Sequence, residues 1–199
     1  MRGLFVTFEG IDRSGKTTQA GLLVDALGDE ALGVREPGGT AAGERVREVL
    51  KDPDVELSPE TEALLFAAAR AELVNEVILP ALQDGRVVVS DRFLDSSLAY
   101  QGGARGLGIE DVERVNHFAT RGLRPDLTFL LDLSPEDAAT RAGESDRFED
   151  EGSELQEAVG AAYERLIEAD RERWRRIDAT RPPDAVHADI LAAVNEARG

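Results

Sequence analysis

An α/β fold is what this sequence predicts: a doubly wound, five-stranded parallel sheet flanked by helices. Three observations carry that expectation. Short apolar runs alternate with longer stretches of helical period along the 199 residues. One run, Val87-Val88-Val89, is continuously apolar, as a parallel strand covered on both faces must be. The third is a Gly-bounded turn, Gly10 to Thr17, that leads from the first apolar run straight into a helical pattern.

Phe5 to Glu9 is apolar and β-prone, so the first strand falls there. Gly10 to Thr17 then fits G-x-x-x-x-G-K-[ST], the P-loop. In that loop successive backbone N–H groups form a concave nest, and the helix N-terminus adds the positive end of its dipole. Glycine is needed where the backbone curls toward a ligand. Lys16 reaches the β- and γ-phosphates and the Thr17 hydroxyl is placed for Mg²⁺. Of the 23 Lys and Arg residues only Lys16 and Lys51 are lysine, and a compact ammonium suits phosphate. The motif makes the fold one of the P-loop NTPase type. The first helix runs from Lys16 to about Leu27 and ends near Gly28.

Ala31 to Arg35 reads as a second strand, followed by the turn cluster Glu36-Pro37-Gly38-Gly39-Thr40. Thr40 can cap a helix over Ala41 to Leu50, with Val46, Val49 and Leu50 on one face. Ser58 as N-cap and Pro59 at the first helical position open a long helix to about Leu82, bent at Pro80, with Glu62 adding acid to the first turn. Leu64, Leu65, Ala68, Val74, Val77, Ile78 and Leu82 are its expected core residues. Phe66 and Arg70 are four apart and share a face. A ring and a guanidinium so placed can stack on a planar base and hydrogen-bond its edge; the same spacing suits a core Phe beside a solvated Arg. Arg86 to Arg92 contains the Val run. Asp91 lies at its C-terminal end, where open α/β sheets put ligands and where P-loop enzymes keep an Asp for Mg²⁺. Arg92 follows as a second phosphate-ready cation, though Asp-Arg after a strand also suits a turn with an ion pair.

Asp95 to Gly103 is rich in hydrogen-bonding side chains and leads into a loop with Gly106 and Gly108. Ile109 to Thr120 reads as a helix. His117 within it has no partner motif and is read as packed or superficial. Leu127 to Leu131 is a strand ending at Asp132, and Ser134 can cap a helix over Pro135 to Arg141. The polar, Gly-broken stretch from Arg141 to Asp150 reads as a flap. A helix is expected from about Glu154 to Arg175, with Leu155, Val159, Ala162, Leu166 and Trp174 inward. Ile177 to Thr180 reads as a last short strand and loop, and Pro182 to Ala197 as the closing helix. One domain, 1–199, with a short lid at about 141–152, accounts for the whole pattern.

Composition narrows the partners. No apolar run approaches 18 residues and no signal-peptide pattern opens the chain, so no membrane partner is expected. The absence of Cys fits a cytoplasmic protein. A net charge of -17 argues against a nucleic-acid surface. Any phosphate site must then be a local cationic cluster, drawn from Arg13, Lys16, Arg35, Arg70, Arg92, Arg141 and Arg147.

At this point the residues resemble a known family. The matches are Phe8-Glu9-Gly10-Ile11-Asp12, Arg35 to Thr40, Phe66 to Arg70, and Asp91-Arg92-Phe93 through Tyr100-Gln101-Gly102-Gly103. Arg124 to Thr128, Asp146 to Glu149 and Ile177 to Thr180 continue the match. In order and over nearly the whole chain, they are similar to thymidylate kinases, which phosphorylate dTMP to dTDP with ATP on the way to dTTP. The resemblance implies that Gly10, Ile11, Asp12, Arg13, Ser14, Gly15, Lys16, Thr17 and Thr18 hold the ATP phosphates, with Mg²⁺ near Thr17 and Asp91. It implies that Asp12 contacts the sugar 3′-hydroxyl, Phe66 stacks on thymine, Arg70 bonds its edge, and Arg92 grips the 5′-phosphate. Ser96, Ser97 and Gln101 would contact base or sugar, and Tyr100 would crowd the 2′ position. Arg141, Ala179 and Thr180 would lie near adenine, with Arg141 and Arg147 as the lid cations. Family members are usually homodimers, and the Pro59–Leu82 helix is a candidate interface. Bacterial members commonly carry more lid arginine and a glycine where this chain has Arg13. Lys16, Arg13 and Arg92 are the expected catalytic cluster, and that departure leaves the transition-state charge to Arg13 or, alternatively, to a lid arginine, Arg141 or Arg147.

Two other readings use parts of the pattern. A kinase for another nucleoside or nucleoside monophosphate shares the P-loop and Asp91-Arg92 but does not need Phe66, Arg70 and Tyr100 together. A nucleotide-binding switch would bind nucleotide without transferring phosphate. A guanine-reading Asn/Thr-Lys-x-Asp element, expected of a GTPase switch, does not occur.

Overall fold

The computed structural model describes residues 2–141 and 152–199. The lid expected at about 141–152, and Arg147 with it, lies outside the described residues except for Arg141 and Gly152.

Five parallel strands form one sheet: β1 (Phe5–Glu9), β2 (Ala31–Arg35), β3 (Val87–Asp91), β4 (Leu127–Asp132) and β5 (Trp174–Asp178), in the order β2-β3-β1-β4-β5. The central strands are buried on both faces, which is why they read as continuous apolar runs. Phe5, Phe8, Phe93 and Phe129 fill the core around β1, with Phe8 and Phe129 stacked 5.4 Å apart. Val6 pairs with Val89 on one side and Leu127 on the other. That register brings the C-terminal ends of β1, β3 and β4 to one rim, the crevice where such sheets bind ligands.

The helices follow local signals. α1 spans Lys16–Leu27 and stops at Gly28. α2 (Ala41–Lys51) is capped by Thr40, whose hydroxyl accepts from the Gly43 N–H at 3.0 Å. Ser58 caps α3 (Pro59–Leu73), and Ser134 caps α7 (Pro135–Ala139), each accepting from the N–H three residues on. α6 spans Ile109–Thr120 and α9 Pro183–Arg198.

Several expectations are corrected. The long helix stays helical to Gln83, as expected, but departs from α geometry ahead of Pro80. A wide π-turn over Val74–Ile78 separates α3 from α4 (Leu79–Gln83), because Pro80 offers no N–H to the carbonyl four residues back. Leu64 and Ala68 are exposed, Leu64 at 57%, and Val49 on α2 is 41% exposed. The inward face of α3 instead carries Glu62, Ala63, Ala67, Arg70 and Leu73. Polar side chains with tertiary partners occupy positions an apolar count assigns to solvent. Leu94 to Ala104 is helical, as α5 (Leu94–Ser97) running into a second π-turn, Leu98–Ala104. α8 spans Ser153–Ala169 and ends well before Arg175. Trp174 is buried as expected but begins β5, paired with Thr128, so the last strand starts three residues ahead of Ile177. α7 ends at Ala139, short of Arg141.

Candidate active site

The loop after β1 is held open by its backbone. Gly10 has φ 139°, and a Cβ there would lie 2.7 Å from the Leu131 carbonyl oxygen, so only glycine fits. Gly15 and Arg13 are also left-handed, with φ of 100° and 60°. A left-handed arginine is uncommon, and such strain concentrates at functional sites. Lys16 is buried and folds back over the loop, its Nζ 2.6 Å from the Ile11 carbonyl and 3.3 Å from Ser14 Oγ. Burial, with the Arg92 charge beside it, lowers its ammonium pKa to about 8. Thr17 Oγ1 donates to Asp91 Oδ2 at 2.5 Å, joining the start of α1 to the end of β3. Hydroxyl and carboxylate oxygens in contact are a donor set that suits Mg²⁺, which takes few protein ligands and keeps its waters and phosphate oxygens. Thr17 and Asp91 would hold it.

Two cavities meet at this loop. The first, about 320 Å³, is lined by all eight residues expected to face the acceptor: Asp12, Phe66, Arg70, Arg92, Ser96, Ser97, Tyr100 and Gln101. Asp12 accepts from the Arg92 guanidinium, from Tyr100 Oη at 3.2 Å and from Gln156 Nε2 at 2.8 Å. Burial works to raise the Asp12 carboxyl, but the Arg92 and Lys16 charges outweigh it and hold it below the usual carboxylate range. The Arg92 guanidinium also lies 5.1 Å from the Tyr100 ring centroid. Gln101 donates to Glu62 Oε1 at 3.0 Å, which explains the inward acid on α3.

Arg70 is buried, and its donors are already engaged. Nε and Nη2 pair with Glu36, Nη2 donates to the Phe93 carbonyl at 3.1 Å, and Nη1 donates to Ser97 Oγ at 3.1 Å and to Asn116. Phe66, half-buried one turn earlier, lines the same cavity.

The second cavity, about 730 Å³, is lined by Arg13, Ser14, Gly15, Lys16, Thr17, Thr18, Arg141, Ala179 and Thr180, with Pro182, Pro183 and Val186. Arg141 donates to the carbonyls of Arg13 and Ser14, both at 3.2 Å, and to that of Ala179. It therefore ties the loop after β1 to the loop after β5. Arg13, Lys16 and Thr17 line both cavities.

Of the phosphate cations, Arg35 is paired with Glu44 at the edge of the first cavity, which Arg47 and Lys51 also line. Reading the sequence did not single out Glu9, Glu36, Asn116, Gln156, Tyr163 or Arg47 as site residues. Glu36 sits in the turn cluster, where an acid before Pro-Gly-Gly was a usable signal. Glu9 lies within the matched stretch Phe8 to Asp12, directly before the P-loop, and the others carry no local signature.

A phosphate-cradling loop at the rim of a 2-3-1-4-5 parallel sheet, opening on two adjoining cavities, defines a P-loop nucleotide-binding protein with room for a donor and an acceptor. The family model for thymidylate kinase matches residues 8–190. Among curated proteins the chain is 49% identical over 201 residues to a thymidylate kinase of Caldanaerobacter subterraneus subsp. tengcongensis, covering 98% of this chain and 97% of that one. It is 46% identical to one of Deinococcus radiodurans, covering 98% of each. The chain belongs to the thymidylate kinase family.

Proposed function

We propose that this chain transfers the γ-phosphoryl group of ATP to dTMP, giving dTDP and ADP, with Mg²⁺ as cofactor. The observation that carries the reading is the junction of the two cavities at Arg13, Lys16 and Thr17, with Arg92 facing it from the acceptor side. The family membership and the residues of the acceptor cavity support dTMP as the acceptor.

The residues act by placement and charge. The loop's N–H groups and Lys16 hold the donor phosphates, and Thr17 and Asp91 hold Mg²⁺, which when bound neutralises charge on the phosphate oxygens. Arg92 orients the acceptor phosphate for in-line attack. That phosphate is already a nucleophile near pH 7, since its second pKa is about 6, so no side chain need remove a proton. Phe66 stacks on the base, Arg70 reads its edge by exchanging its bond to Ser97 for one to the base, and Asp12 and Tyr100 face the sugar. Arg141, Ala179 and Thr180 border adenine.

We read the chain as one kinase domain acting as a cytoplasmic homodimer on small-molecule substrates, with neither nucleic acid nor membrane as partner. Among the described residues no helix is long and apolar enough to cross a membrane. Leu64 on α3 and Phe118 on α6, 57% and 88% exposed, lie on helices that pack together and support a paired face there. Light scattering at micromolar concentration tests it; a monomer rejects it.

A coupled assay of ADP release over dTMP, dUMP, dCMP, dAMP and UMP tests the reaction. Preference for another monophosphate favours the broader kinase reading. ATP binding without transfer to any of them favours a switch.

A further inference from the structure

We propose that Glu9 is a positioning residue that fixes both the backbone and the guanidinium of Arg92, acting through the Phe93 N–H and the Ser96 hydroxyl. The inference rests on the reading that Arg92 grips the acceptor phosphate. Glu9 ends β1 one residue before the P-loop, is wholly buried, and lines neither of the two cavities. Its Oε1 accepts from the Phe93 N–H at 2.9 Å. Its Oε2 accepts from Ser96 Oγ at 2.5 Å and from Tyr163 Oη at 2.8 Å. Ser96 Oγ in turn accepts from Arg92 Nη1 at 3.0 Å. With its hydrogen committed to Glu9, the Ser96 hydroxyl presents only lone pairs to the guanidinium.

The backbone gives a second, independent argument. Arg92 has φ 69°, a left-handed conformation that a side chain with a Cβ adopts only when its surroundings impose it. Three bonds impose it. The Arg92 N–H is held by the Phe8 carbonyl at 3.0 Å, its carbonyl by Ser90 Oγ at 2.6 Å, and the next peptide N–H by Glu9. A carboxylate is needed because three donors converge on it. An amide of the same shape offers one acceptor oxygen and turns an NH₂ group toward a donor. The hydroxyls must then reverse, and the bond from Arg92 weakens.

Steady-state kinetics at about pH 8.5, where Glu9 is the carboxylate, of Glu9→Gln, Ser96→Ala and the double variant test the idea, with melting temperatures measured alongside. The expected result for each single variant is a kcat lower by about 10- to 100-fold, the cost of misplacing a reacting group by an ångström or less. KM for ATP stays within about twofold. The double variant is no worse than the poorer single one, because both break one chain of bonds. Kinetics within twofold of the parent for both single variants, additive losses, or equal losses toward ATP and dTMP overturn it. If Glu9→Gln does not fold, Glu9→Asp, which keeps the charge and shortens its reach, takes its place on the same split. Arg92→Ala separates the inference from its premise. Full activity there rejects the role of Arg92, whereas an inactive Arg92→Ala beside a fully active Glu9→Gln rejects only the role of Glu9.

Discussion

Arg70 Nη2 and Glu36 Oε2 lie 2.6 Å apart, with both side chains almost wholly buried. Burial works to raise the Glu36 carboxyl, and the Arg70 charge opposes it. The pair links the turn after β2 to the helix that carries Phe66, so the proposed base reader is also a contact on which fold stability rests. Removing one partner leaves an uncompensated buried charge, worth about 3–5 kcal/mol. Arg70→Ala is therefore expected to lower stability by that order as well as to impair dTMP use. Arg70→Lys keeps the charge and loses the planar fork. In Arg70→Lys, kcat/KM for dTMP should fall by about 10- to 100-fold, the worth of a charged hydrogen bond of about 1.5–3 kcal/mol, with KM for ATP unchanged. Equal effects on the two substrates would reject Arg70 as the base reader.

Tyr100 is buried against the Arg92 guanidinium, with its hydroxyl on Asp12. A ring held from two sides cannot move aside for a 2′-hydroxyl, so the discrimination proposed for it would rest on rigid crowding. Tyr100→Ala should narrow the ratio of kcat/KM between dTMP and its ribose analogue by about 10- to 100-fold. Tyr100→Phe keeps the ring and should retain most of the ratio. A ratio unmoved in Tyr100→Ala removes the proposal.

Glu9 makes stability depend on pH. Burial first, and the neighbouring Asp95 charge second, raise its carboxyl from the ordinary 4.5 to about 7, against the opposing effects of Ser96, Arg92 and Tyr163. The Lys16 charge faces it as well. A raised carboxyl binds its proton more tightly in the folded chain than in the unfolded one. Its contribution is therefore fully present below about pH 4.5 and is lost as pH rises through 7. Glu9→Gln cannot titrate. The fall in melting temperature between about pH 5.5 and 8 should be several degrees smaller than in the parent, at about 2–4 °C per kcal/mol for a chain of this size. Parallel pH profiles would show that Glu9 does not titrate in this range.

What the sequence disclosed and what it hid divide by the range of the interactions. Thr40, Ser58 and Ser134 were legible as caps because each bonds an N–H three residues away. The P-loop was legible because its glycines and Lys16 act within one turn. The residues that line the first cavity were legible only as a constellation matched in order, since Phe66 and Arg70 alone read more readily as a core ring beside a solvated guanidinium. The burial of Glu62, Arg70 and Glu9 hid because their partners lie 23 or more residues away and make buried polar positions acceptable. Trp174 hid in a helical period because β5 is short and its middle residues Arg175 and Arg176 are exposed on an edge strand. Leu94 to Ala104 hid because Ser and Gly discount a helix that buried contacts sustain.

Arg13 is the last test, and its geometry sharpens it. The residue lines both cavities, where the transferring group must pass. Its Nη1 donates to the Arg141 carbonyl at 3.4 Å, which sets the guanidinium beside the second cavity. An arginine delivered in cis stabilises charge that develops only in the transition state. Removing it should lower kcat far more than it raises either KM. Because φ is 60° here, Arg13→Gly removes the side chain without adding backbone strain and is a cleaner variant than Arg13→Ala. The expected loss in kcat is on the order of 10³-fold, the size seen for arginine fingers. Arg13→Lys should restore only part, since a point charge cannot replace the fork. Arg141→Ala should instead act mainly on ATP, because Arg141 spans the donor cavity from Ser14 to Ala179. If Arg13→Gly keeps kcat within about threefold of the parent while Arg141→Ala abolishes it, the transition-state role passes to Arg141. In that outcome the left-handed backbone at position 13 serves only to shape the loop.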